Sequence, residues 1–331
     1  MSAIEAPARA LAWLGRQGTR AITAIVFVGI AVPPVGALLK PFVTEAIFVL
    51  LCIAFLRVDT AALRSHVERP GLVLCATAWT MLAIPALFGA VCLAAGLDTR
   101  SPDLFLALML QAVASPMMAA PALAALIGLD ATLVLVALIA STTLIPFTAP
   151  FLVHAFVGPV LTLAPLALGL KLLAILAGSA LVAFAVRRIV GVEAIEHRKA
   201  EINGLNVLVL FVFVTAVMEN VAAEFLAAPA LTIGLAALAF LVFFAVLGLS
   251  ALLFARAGHD RALALGLMAS QRNMGLMLAA TGGVLPDLVW LYFALSQFPI
   301  YLSPQLMAPL ASRLRVRPQA SLSRTPLSGG R

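Results

Sequence analysis

The chain has 331 residues, 63% of them hydrophobic and 11% charged, with a mean hydropathy of +1.13 and a formal net charge of +7. These values exclude an ordinary soluble domain, in which about a quarter of the residues are charged. At about 20 apolar residues per crossing, the length accommodates roughly eight to ten membrane helices with short loops and no soluble domain.

In chain order the apolar runs predict ten helices, over about 20–39, 43–57, 71–95, 104–128, 131–153, 167–187, 203–221, 229–255, 262–284 and 288–310. The first run has the basic lead-in of a signal peptide, with Arg16 and Arg20. Its continuation through "PPVGALL" favours a retained helix. Residues 1–19 are expected as a cytoplasmic lead-in, 20–312 as one transmembrane unit, and 313–331 as a disordered basic tail. Cys52, Cys75 and Cys92 lie in apolar stretches without CxxC spacing, which points to packing rather than to a disulfide or a metal cluster.

Basic residues fall in every second connection: Arg57, Arg64 and Arg69; Arg187, Arg188, Arg198 and Lys199; Arg256 and Arg261; and the C-terminal arginines. The alternate connections, with Lys40, Glu45, Asp98, Arg100, Asp103, Glu219, Glu224 and Asp287, are acidic or nearly neutral. Cytoplasmic loops carry the Lys and Arg excess, so both termini are predicted cytoplasmic. Topology and anionic lipid account for the positive net charge, and no nucleic-acid partner is needed.

Two runs are interrupted. "ASPMMAAP" breaks the fourth with two prolines, which remove donors and clash with the preceding turn. Pro121 suits the first turn of a new half-helix. "MASQRNMGL" breaks the ninth with Ser270, Gln271, Arg272 and Asn273. After each break come a short apolar half, a turn with one aspartate (Asp130, Asp287), and a helix with two late prolines (Pro146 and Pro150, Pro299 and Pro304). Five spans per half is an odd number, so the pattern predicts an inverted repeat.

An interrupted helix at membrane depth is tolerated only where it is buried in protein or lines a polar cavity. If the breaks adjoin, the N-terminal ends of both second half-helices direct positive dipole ends and free N–H groups into one space that attracts anions. Arg272 adds a full charge there, at about 2.5–3.5 kcal/mol on insertion scales, with no acidic residue at similar depth. Two readings of it stand side by side. Its forked donors could satisfy the end carbonyls of the broken helices, or it could face an anionic substrate.

The Q-R-N-M-G-L stretch, the partner break and the ten-span inverted repeat together resemble the bile acid:sodium symporter family, in particular its bacterial members. The resemblance covers nearly the whole chain and is most specific over residues 268–278. It implies an all-α protein of ten transmembrane helices with broken, crossing helices four and nine. It also implies a core of spans 3–5 and 8–10, a panel of spans 1, 2, 6 and 7, and alternating-access transport of small or amphipathic organic anions across a bacterial cytoplasmic membrane, by a monomer or homodimer. Sodium coupling belongs to that pattern. Here, however, Met268 and Arg272 stand at the family's glutamate and glutamine positions, and Ala120 and Pro121 stand at its Ser-Asn pair. Ser115, Ser270, Gln271 and Asn273 are the few remaining candidate sodium ligands.

The candidate substrate-binding set is Arg272, Asn273, Gln271, Ser270, Ser115, Met118, Pro121, Gln297 and Thr142. Gln297 is singled out because its amide is expected not to fold back on its own helix. No HExxH, GxSxG, Walker or Cys/His pattern appears, so no enzyme, cofactor or metal centre is expected. Rival readings are an arsenite- or auxin-type efflux carrier of the same superfamily, whose arsenite branch would want a cysteine near the fourth-span break, and a membrane receptor that does not transport.

Overall fold

The structure is a computed structural model, and it describes residues 5–58, 70–158 and 164–315. It is 88% helical, with no strand among the described residues, as expected of an all-α membrane-embedded protein. Among the described residues, six helices are long and apolar enough to cross a membrane.

The principal helices are α1 (Glu5–Ala31), α2 (Pro33–Leu56, with a 3-10 turn at Lys40–Phe42), α3 (Pro70–Ala94), α4 (Pro102–Val113), α5 (Ala120–Leu126), α6 (Ala131–Val157) and α7 (Pro165–Val190). They continue with α8 (Lys199–Val217), α9 (Val221–Ala227), α10 (Pro229–Leu253), α11 (His259–Ser270), α12 (Met274–Thr281) and α13 (Asp287–Arg315). Helix α1 begins at Glu5, well before the position 20 expected for the first span. The basic connection with Arg64, His66 and Arg69, and the tail beyond Arg315, lie outside the described residues.

Local chemistry explains the boundaries. Proline occupies an opening position in α4, α5, α7 and α10, where its missing N–H costs nothing. Asp130 caps α6 by accepting from the Leu133 N–H at 3.0 Å. Gly128 (φ 72°) and Gly282 (φ 70°) follow the two short half-helices α5 and α12 in left-handed conformations that favour glycine.

The helices are apolar nearly all round, so burial rather than periodicity sorts their faces. Tyr292, Phe105 and Phe243 are among the largest side chains wholly inside. Phe147, Phe151, Leu226 and Leu252 stand 68–81% exposed on the outside, as lipid-facing side chains do. Cys92 is buried, whereas Cys75 is exposed, so it does not pack in the interior as expected.

Helix α1 runs parallel to α8 at close range. A Cβ on Gly204 would lie 1.9 Å from the Leu11 carbonyl, and one on Gly15 2.3 Å from the Ala200 carbonyl. Small residues permit this backbone approach, which is how membrane helices associate without a hydrophobic driving force between them.

The charged ends sort as the sequence predicted. Arg187 donates to the Val58 carbonyl at 2.6 Å, and Arg261 lies 3.6 Å from Asp130 at the arginine-rich end. Near Asp287 at the other end, Lys40 pairs with Glu219 at 3.0 Å and sits 5.6 Å over the Trp290 ring.

Candidate functional site

The two interruptions meet. Pro116 and Arg272 form an antiparallel bridge. The Met117 N–H donates to the Gln271 carbonyl and the Asn273 N–H to the Ser115 carbonyl, each at 2.8 Å. Each extended segment thus answers the backbone groups that the other's broken helix leaves open. The half-helices cross, with α5 packed against α11 and α12 against α4.

Arg272 lies at the centre of this crossing, 3% exposed. Its Nη1 donates to the Ala114 carbonyl at 3.0 Å, the open C-terminal end of α4, and to the Thr80 carbonyl at 3.1 Å. Thr80 lies in a π-helical turn, Trp79–Ala83, inside α3. Such turns disturb the carbonyl ladder and recur at functional positions. Each charge-assisted bond is worth roughly 1.5–3 kcal/mol, enough together to offset the insertion cost of the charge. Nη2 has no partner, and no carboxylate pairs with Arg272 among the described residues.

The neighbouring polar groups divide into engaged and free. Gln271, wholly buried, donates Nε2 to the Ser303 hydroxyl at 2.9 Å, but its Oε1 is unpartnered. Ser270 turns its hydroxyl back to the Leu267 carbonyl. Asn273 caps α12, its Oδ1 accepting from the Leu276 N–H at 3.1 Å. Ser115 Oγ and Thr80 Oγ1, on residues whose carbonyls the crossing engages, are buried without partners, as are Ser141 Oγ and Thr142 Oγ1 on α6, which no bond ties to the crossing. Orphaned buried polar atoms are rare, and a group of them calls for water or a ligand.

Met118 and Pro121 are partly buried, on the loop and the first turn of α5. Gln297 departs from expectation, because its Nε2 does fold back, donating to the Phe293 carbonyl at 3.3 Å. The expected array of free N–H groups is also smaller than the sequence implied. Those of Ala120, Leu123, Met274 and Leu276 are taken by local acceptors, and Pro121 has none. Positive charge at the crossing therefore rests on the guanidinium more than on the helix ends.

Sodium fits this set poorly. Ser115 Oγ and Gln271 Oε1 are open acceptors, but Asn273 Oδ1 is occupied and the Arg272 guanidinium is bonded to the Ala114 carbonyl, one residue from Ser115. Hard cations want several oxygens and no adjacent positive charge. No group of three His, Cys, Asp or Glu side chains able to hold a metal occurs among the described residues.

Sequence reasoning missed Gln111 and Ser303. Gln111 accepts from the Tyr292 hydroxyl at 2.5 Å, tying α4 to α13. Its position four residues before Ser115 in an otherwise apolar run was the available signal. The Trp79 indole donates to Ser250 Oγ at 2.8 Å, joining α3 to α10.

Compared with known proteins, the chain matches no family model and no curated protein.

Proposed function

We propose that the protein is a membrane transporter that moves small or amphipathic organic anions by alternating access. The observation that carries the reading is the crossing of two broken helices around a buried arginine that lacks a carboxylate partner and keeps Nη2 unpartnered. Interrupted helices that cross are a recurrent way to place polar groups at membrane depth.

Matching element lengths support a ten-span inverted repeat. Helices α3 and α10 each have 25 residues, α4 and α11 each 12, α5 and α12 7 and 8, and α6 and α13 27 and 29. On this reading the arginine-rich end faces the cytoplasm, and the resemblance to bacterial bile acid:sodium symporters is one of architecture. The guanidinium already supplies a positive charge at the crossing, so transport does not require sodium there.

Reconstitution in proteoliposomes with a panel of labelled carboxylates and sulfonates tests the proposal, with and without a sodium gradient. Uptake of at least one anion is expected, lost in Arg272→Ala. Absence of uptake for the whole panel by folded protein would sink the transport reading. Strictly sodium-dependent uptake would sink the sodium-free part alone.

A further inference from the structure

At the end of the molecule opposite the arginine cluster, a small charged cleft adjoins an apolar groove. The cleft is lined by Lys40, Glu219, Glu224, Asp287 and Trp290. The groove encloses about 570 Å³ between the end of α1 and helices α9, α10 and α13, with Ile30, Phe225, Ile233, Ala236, Leu295 and Phe298 along it. Val221 lines both, and Leu291 in the cleft is one helical turn from Leu295 in the groove. The two therefore adjoin at Val221, polar on one side and apolar on the other.

Thr232 is the single polar lining residue of the groove, and its hydroxyl already donates to the Ala228 carbonyl at 3.1 Å. Only the lone pairs of that hydroxyl, on a residue 3% exposed, remain for water to bond. The groove opens sideways past Phe225, Leu226 and Ile233, which are 45%, 81% and 56% exposed on helices with apolar outer faces. A bilayer hydrocarbon chain lies within reach, and filling the groove restores dispersion contacts that an empty one forfeits.

The cleft selects the other end of the occupant. Lys40 is paired with Glu219 and stacked on Trp290, which leaves Glu224 and Asp287 without an ion pair among the described residues. A headgroup with both a phosphate and a primary ammonium complements this mouth, the phosphate near the Lys40 ammonium and the ammonium against the two free carboxylates. A purely anionic headgroup meets three carboxylates against one amine.

We infer that the groove and the cleft beside it are a binding site for a phospholipid with a primary-ammonium, zwitterionic headgroup, its acyl chain lying in the groove and its headgroup at the mouth of the cleft. The inference does not rest on the transport reading.

The test uses the delipidated full-length protein in detergent, with thermal unfolding followed as dioleoyl phosphatidylethanolamine or dioleoyl phosphatidylglycerol is added. The chains are identical, so only the headgroup differs. Phosphatidylethanolamine is expected to raise Tm by several degrees more than phosphatidylglycerol. Ala236→Trp, which fills the groove, should lose the response to both lipids. Combined Glu224→Gln and Asp287→Asn should lose only the difference between them. An equal or larger shift with phosphatidylglycerol on the unaltered protein would overturn the inference, as would an undiminished response in Ala236→Trp. If Ala236→Trp fails to fold, the headgroup comparison on the unaltered chain still decides.

Discussion

Arg272 Nη1 donates at 3.0 Å to the Ala114 carbonyl, which closes the C-terminal end of one broken helix with a side chain from the other. The residue that would bind an anion is thus also a structural pin, and the two roles use different nitrogens. Nη1 holds carbonyls, and Nη2 is unpartnered.

Arg272→Met should lower stability. It strands the Ala114 and Thr80 carbonyls, at about 1–3 kcal/mol for each buried acceptor left open, partly offset by the charge no longer buried. Arg272→Lys keeps the charge and one of the two bonds, and should unfold between the parent and Arg272→Met. Thermal unfolding in detergent ranks the three; a Met variant as stable as the parent would remove the structural role.

Tyr292→Phe should be destabilising, by about 1–3 kcal/mol, since it leaves the 4% exposed Gln111 without its donor. Adding Gln111→Met should restore most of the loss, because an apolar pair leaves nothing unsatisfied. A double-mutant cycle on Tm reads the coupling directly.

Gln271→Ala and Ser303→Ala should each cost about 0.5–1.5 kcal/mol by breaking the bond that ties the second interruption to α13. Their effects should be less than additive. Full additivity would mean that the bond is not formed in the membrane protein.

Glycine substitutions separate tight from open sites. Gly204→Ala places its Cβ against the Leu11 carbonyl and should destabilise by about 1–3 kcal/mol, typical of overpacking. Gly234→Ala meets nothing within 4 Å in α10 and should be neutral or stabilising, by up to about 1 kcal/mol through helix propensity. Unfolding temperatures of the two variants should therefore move apart.

Much of this architecture is written locally. Pro116, Pro121 and the polar run from Ser270 to Asn273 announce the interruptions, because hydrocarbon does not tolerate an open helix without reason. Charge alternation between loops likewise places Arg187 and Arg261 at one end and Lys40 and Glu219 at the other, where the structure has them. The start of α1 at Glu5 was not legible. Its first turns carry Glu5, Arg9 and Arg16, and their helicity depends on close packing against α8, a contact with no local signature.

The sequence by itself determined that the chain is helical and membrane-embedded, where two of its helices break, and that one break holds an uncompensated arginine. These follow from composition and backbone chemistry, which act over a few residues. Only the tertiary structure decided that Arg272 meets carbonyls 158 and 192 residues away, that the π-helical turn in α3 presents one of them, and that Gln297 bonds its own helix. A buried polar group is satisfied by whichever acceptor packing brings within about 3 Å, and packing joins positions that the order of residues leaves far apart.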